Sequence, residues 1–252
     1  MKPVVEICCG SYYDACQAAR GGAGRIELNG ALMLGGLTPT TATVSMVKED
    51  LNLKVVAMVR SRGAGFCYLK EELAVMEREC REVLEAGADG VAFGCLKEDG
   101  SLDQESNKRI LDIIKGMGRE AVFHRAFDCT DDPFRTMEQL IDLGMDRVLT
   151  SGLKPTAMEG REMIRQLQEA YGDRIQILAG SGVNGENARG LLEYTGISQI
   201  HSSCKAWRED PTTVRNQVSY SIAGGDKAMC YDVVSAKLVE KLIKRSRGIL
   251  LM

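Results

Sequence analysis

The chain holds only two histidines, and each sits where an apolar run ends. His124 opens the string His124-Arg125-Ala126-Phe127-Asp128, which sets an imidazole beside a guanidinium and close to a carboxylate. Histidine titrates near neutral pH, so His124 is a candidate proton carrier, oriented by Asp128 or by a glutamate. A hydrogen-bonded structural histidine would leave the same string. Arg60 and Arg62, in the segment RSRG, could clamp an anion bidentately or simply neutralise Glu6 and Glu27. Gly180-Ser181-Gly182 and His201-Ser202-Ser203 combine glycine, hydroxyl and imidazole. Glycine lets backbone N–H groups approach an anion, and a helix starting near Asn184 would add its positive end; a tight turn that needs glycine reads the same way. Cys8 is the soft-metal candidate, because thiolate and methionine sulfur suit Cu(I), although a cysteine also serves as a small apolar filler.

These residues need a frame that aims them at one place. Apolar runs recur at 4–9, 25–29, 54–62, 90–94, 121–128, 147–152, 175–182 and 199–203. Between and after them lie stretches with helical spacing at 11–21, 39–50, 70–86, 103–116, 131–143, 156–171, 184–195 and 235–247. Thr38 is placed to cap the second of these, with Pro39 at its first helical position. Eight strand-then-helix units in one chain of 252 residues predict a single-domain α/β fold of the TIM (β/α)8 barrel type over 1–252. Side chains alternate along a strand, so the apolar faces of VVEICC and RIELN meet the helices while Glu6, Cys8, Glu27 and Asn29 point inward. The same parity turns Met58, Arg60, Val122, His124, His201 and Ser203 into the barrel. Buried carboxylates need partners, and Arg60 and the histidines are the expected ones. A satisfied internal ion network would account for any one of these residues; for the whole set, an active or binding site fits better, since barrel interiors are ordinarily apolar.

Two connections exceed ordinary loop length, 60–70 and 204–234, and both are expected over the mouth of the barrel. The second reads as an ordered insertion after the eighth strand, serving as a lid, as a contact in a homo-oligomer, or as neither. Apolar residues make up 44% of the chain and the net charge is −3, which gives no footprint for nucleic acid or anionic lipid. No run is long enough for a membrane span, and the N-terminal apolar stretch, broken by Glu6, is too short for a secretory signal. Nine cysteines with no C-x-x-C spacing indicate reduced thiols and a cytoplasmic location. Too few spaced Cys and His ligands are present for a tetrahedral zinc site.

The strings EICC, RIEL, GGLTP, R-x-RG-x-x-FCY (60–68), FHRAFD (123–128), DRVLTSG (146–152), AGSGV (179–183), IHSS (200–203) and RNQ (215–217) run through nearly the whole chain. In order and spacing they resemble the CutC family of copper homeostasis proteins. The resemblance implies a TIM barrel, cytoplasmic residence and copper handling through Cu(I). It also implies two thiolate ligands, one after the first-strand glutamate and one after the Glu-Leu of the second strand. Cys8 matches the first; Asn29 stands at the second. Ser61, Ala64 and Gly65 depart from a segment that the family usually spells RPRGGDF, so a candidate carboxylate is missing there. Two functions are therefore expected. One is copper homeostasis with Cys8 as ligand. The other is an enzyme of unassigned reaction on a small anionic metabolite, phosphorylated or not, with Glu6, Glu27, Arg60, His124 and Asp128 as catalytic candidates and Arg62, Arg125, Gly180, Gly182, His201 and Ser202 holding the anion.

Overall fold

In the computed structural model, which describes residues 2–249, each apolar run becomes a short strand and each helical stretch a helix. The strands are β1 (Val4–Cys9), β2 (Arg25–Leu28), β3 (Lys54–Met58), β4 (Gly90–Phe93), β5 (Glu120–Phe123), β6 (Arg147–Thr150), β7 (Gln176–Ala179) and β8 (Gln199–Ser202). They alternate with α1 (Tyr12–Arg20), α2 (Thr41–Asp50), α3 (Lys70–Glu85), α4 (Gln104–Gly116), α5 (Pro133–Leu143), α6 (Arg161–Tyr171), α7 (Ala188–Thr195) and α8 (Ala236–Ser246). All eight strands pair in parallel and in chain order, and β8 returns to β1 to close the barrel. Closure sets Glu6 of β1 level with Arg25 on one side and His201 on the other.

Two apolar layers hold the barrel. Ile7, Ile26, Leu28, Val55, Val91, Phe123, Val148 and Ile200 pack outward against the helices. Inside, Val56, Met58, Ala92 and Val122 form a separate cluster on the β3, β4 and β5 wall. Along β8, β1 and β2, and at Arg147 of β6, the interior is polar. A helix-bound edge of the ring needs close contact too: a Cβ on Gly21, at the end of α1, would lie 2.5 Å from the Cβ of Val239 on α8. Lys2 and Pro3 share a surface hollow with Ser246, Arg247 and Gly248, so the two ends of the described chain are neighbours.

The start of α2 differs from the sequence expectation. Thr40 is the cap, accepting from the Thr43 N–H, and Pro39 lies outside the helix. Thr38 is engaged elsewhere: its hydroxyl donates to Glu79 at 2.6 Å and accepts the Arg60 N–H at 2.9 Å. That pair of bonds fixes the exit of β3, where Arg60 stands.

The 204–234 segment carries short strands of its own. It contains β9 (Lys205–Glu209) paired antiparallel with β12 (Cys230–Val234), and the short hairpin β10 (Val214–Arg215) with β11 (Val218–Ser219). Asp14 on α1 ties it down, accepting the Val234 N–H at 2.8 Å and the Gly10 N–H at 3.0 Å. The segment flanks the barrel mouth rather than roofing it, for no residue of 205–234 lines the cavity at the carboxyl ends of the barrel strands. Among the described residues no helix is long and apolar enough to cross a membrane.

Candidate functional site

The low interior of the barrel is a network of charge. Glu6, 1% exposed, meets the Arg25 guanidinium at 2.6 Å, His201 Nδ1 at 2.9 Å and Arg147 Nη1 at 3.7 Å. Arg25 donates to Gln199 at 2.7 Å, and Arg147 reaches Glu120 at 3.0 Å. Burial alone would push the Glu6 carboxyl up; the His201 hydrogen bond and the charges of Arg25, His201 and Arg147 overcome it and hold the group at about 2. The sequence reading gave Glu6 the cations Arg60 and the histidines; His201 is one of its partners, and Arg25 and Arg147 stand where Arg60 was expected. Parity could have found Arg25, which shares a face with Glu27; Arg147, facing the same way as Leu149, carried no separate signal.

Above this network lies a cavity of about 450 Å³ at the carboxyl ends of the strands, lined by Cys8, Glu27, Asn29, Arg60, His124, Arg125 and His201 among others. Its β1, β2 and β8 wall is one connected group. Glu27 Oε2 accepts from Asn29 at 3.0 Å and faces Cys8 Sγ at 3.8 Å and His201 Nε2 at 3.9 Å. Burial raises the Glu27 carboxyl, and the same cause lifts the Cys8 thiol to about 11. For His201 burial works against charge, but Glu27, Cys8 and Glu6 outweigh it and hold the imidazole protonated. The donor atoms of Cys8, Glu27 and His201 all lie within 4.8 Å of one another.

The β3 and β5 wall is different in kind. Arg60, 5% exposed, donates to the carbonyls of Leu34 at 3.0 Å, Gly36 at 3.0 Å and Ala64 at 2.5 Å, and pairs with no carboxylate among the described residues. Phe66 lies between it and His124: its ring centre is 5.1 Å from the Arg60 Cζ and 4.9 Å from the imidazole centre. His124 accepts the Ala126 N–H on Nδ1 at 3.2 Å, and its buried Nε2 has no partner. Burial, followed by the charge of Arg60, lowers its pKa to about 3, so the ring is neutral.

Glu6, Cys8, Glu27, Arg60, His124 and His201 therefore converge, with Glu6 beneath the cavity and the others on its walls. Arg125, Gly182 and Ser202 also line it. Three candidates do not. Arg62 is turned away, bonded to Glu72 at 2.6 Å and to the carbonyls of Gly63, Gly65 and Cys67. Asp128 does not orient His124; it accepts from Thr150, Ser151 and Leu153 and pairs with Arg125 at 2.8 Å, which shapes the loop after β6. Gly180 packs under the cavity, where a Cβ would come 2.7 Å from Leu149. Phe66 and Val183 also line the cavity; the sequence reading had them within the strings R-x-RG-x-x-FCY and AGSGV but gave neither a role.

The sequence profile of the CutC family matches residues 3–206. The chain belongs to the CutC family. A CutC family protein of Treponema denticola is 44% identical over 216 residues, covering 86% of this chain and 87% of its own. The copper homeostasis protein cutC homolog of Homo sapiens is 37% identical over 227 residues, 90% of this chain and 81% of its own. A solved CutC structure from Streptococcus agalactiae superposes with a TM-score of 0.75 at 29% identity, over 80% of this chain and 98% of that one. The CutC match takes in all eight barrel strands and ends inside β9, so most of the β9 to β12 insertion, and α8, fall outside it.

Proposed function

We propose that this CutC chain handles copper, taking Cu(I) as cargo at the base of the barrel mouth with Cys8 and His201 as its ligands. The observation that carries the reading is the meeting of Cys8, Glu27 and His201, donor atoms within 4.8 Å, on one wall of the cavity. The copper homeostasis names of the mammalian relatives point the same way.

The residues fit the ion in part. Cu(I) favours sulfur and tolerates imidazole, and a thiolate with one imidazole would make a two-coordinate site once the ion displaces the protons of the Cys8 thiol and of His201 Nε2. Met58 lines the same cavity and offers a thioether. Glu27 is a hard ligand that suits Cu(I) poorly; its contribution is charge. The second family thiolate is absent, but its place is visible: Asn29 Nδ2 lies 3.5 Å from Cys8 Sγ. All nine cysteines are free, which accords with a reducing cytoplasm as the place of work.

An anaerobic Cu(I) competition titration tests the reading. Loss of an outer partner of a metal ligand costs roughly 10- to 100-fold in affinity, so loss of the ligand itself in Cys8→Ser should weaken the tightest site by about 100-fold or more. A Cys8→Ser chain that holds its first copper as tightly as the parent sinks the assignment, the other thiols then being the binders.

A further inference from the structure

We infer that the opposite walls of this cavity form a seat for a small phosphorylated carbonyl compound: the carbonyl oxygen against Arg60 and the His124 Nε2–H, the phosphate on the backbone N–H groups of Ser181, Gly182 and Val183. The seat needs neither the thiol nor copper, and it stands or falls apart from the copper reading.

The first ground is an uncompensated cation. Arg60 is 5% exposed, and its three carbonyl acceptors hold the guanidinium in place without cancelling its charge. Its Nε is buried with no partner. A charge in that setting costs several kcal/mol unless an anion or a developing oxyanion comes to meet it.

The second ground is the tautomer of His124. Nδ1 takes the Ala126 N–H, so its lone pair is in use and the ring proton sits on Nε2. Nε2 is buried and unpartnered in a ring that lines the cavity, which leaves its N–H donor without an acceptor. A neutral imidazole cannot act as an acid of ordinary strength, and with Nδ1 engaged it is not a free base. It suits a carbonyl oxygen, neutral in the ground state and negative as an enolate forms, as neutral histidine does in triosephosphate isomerase.

The third ground lies across the ring. Ser181 and Gly182, directly after β7, take φ of +74° and +70°. Such a conformation is strained in a non-glycine residue and persists only where its surroundings impose it. Here Ser181 donates to the Pro155 carbonyl at 2.7 Å and accepts the Ala157 N–H at 3.0 Å. The N–H groups of Ser181, Gly182 and Val183 find no acceptor among the described residues. Phosphate commonly binds barrels after strands 7 and 8, and β3, β5 and β7 are alternate staves of this ring. A cavity of about 450 Å³ admits a small sugar phosphate.

Calorimetric titration of the copper-free full chain with dihydroxyacetone phosphate and glycerol 3-phosphate separates the two ends of the ligand. The ketone should bind roughly tenfold more tightly than the alcohol, since a site built around a buried donor discriminates against a ligand that fits it poorly. His124→Phe should abolish that preference. In the parent, ¹⁵N resonances of the His124 ring should show the proton on Nε2 and stay flat from about pH 5 to 8. Equal affinity for the two phosphates, no binding of either, or a ring that titrates in that range overturns the proposal. Cu(I) affinity should be the same in His124→Phe and the parent, and a failed Cys8→Ser test would leave this seat untouched.

Discussion

The two histidines face one cavity from different walls, and their pKa values are driven in opposite directions. His201 lies between Glu6 and Glu27 and is held protonated, whereas His124 has Arg60 as its charged neighbour and is neutral. Both are buried, so burial does not separate them; the sign of the nearby charge does. The contrast extends to the walls themselves. Around Glu6 every charge has an opposite within reach, and that part of the interior builds the barrel. Around Arg60 the charge has carbonyls only, and that part is arranged for something that arrives.

Removing the shared anion of the compensated wall should have the largest effect. Glu6→Ala leaves Arg25 and Arg147 buried without it and should cost about 3–5 kcal/mol in urea unfolding. A cost under about 1 kcal/mol would mean that the two walls are not different after all. On the same side, Asn29→Cys puts a second thiol beside Cys8 and should tighten Cu(I) binding by about 100-fold, roughly 2.7 kcal/mol, in the competition titration. An unchanged constant would show that the two side chains do not reach a common ion.

The neutral wall predicts a pH effect of definite sign. The His124 pKa falls from 6.5 to about 3 on folding, so between those values the unfolded chain binds more protons than the folded one. Stability contributed at neutral pH is then lost as pH drops below about 6.5, by about 1.4 kcal/mol per unit, and His124→Phe should flatten that slope. The same slope in the variant would locate the acid sensitivity elsewhere. The smallest effect belongs to Arg60→Met: freeing three carbonyls is offset by removing an unpaired buried charge, for a net loss of about 1 kcal/mol. A loss matching that of Glu6→Ala would erase the distinction between the walls.

Parity along the strands was enough to read which side chains enter the barrel, because side chains alternate along an extended chain whatever their neighbours. It placed Glu6, Cys8, Glu27, Arg60, His124 and His201 inside, and they are. What parity does not carry is height and distance across the ring. Arg60 shares the interior with Glu6 yet spends its donors on Leu34, Gly36 and Ala64, while Arg25 and Arg147, at the first positions of β2 and β6, reach the carboxylate. Asp128 lies four positions after His124 in the chain, but the 3-10 turn Arg125–Cys129 carries it toward Ser151. Thr38 had the right chemistry for a helix cap and lost that role to Thr40 because Glu79 and Arg60 claim its hydroxyl. Each miss is a choice among partners, which depends on strand stagger rather than on local spacing.

The return of β8 to β1, with α1 seated on α8 at Gly21 and Val239, leaves the ring without a mechanical seam. Lys2 and Gly248 already border one hollow, so a short peptide bridge there and a fresh break at exposed Asn216 would keep every stave pairing intact. Such a circular permutant would detach gene order from geometry: the pocket's walls would be synthesised in a new sequence and still face each other.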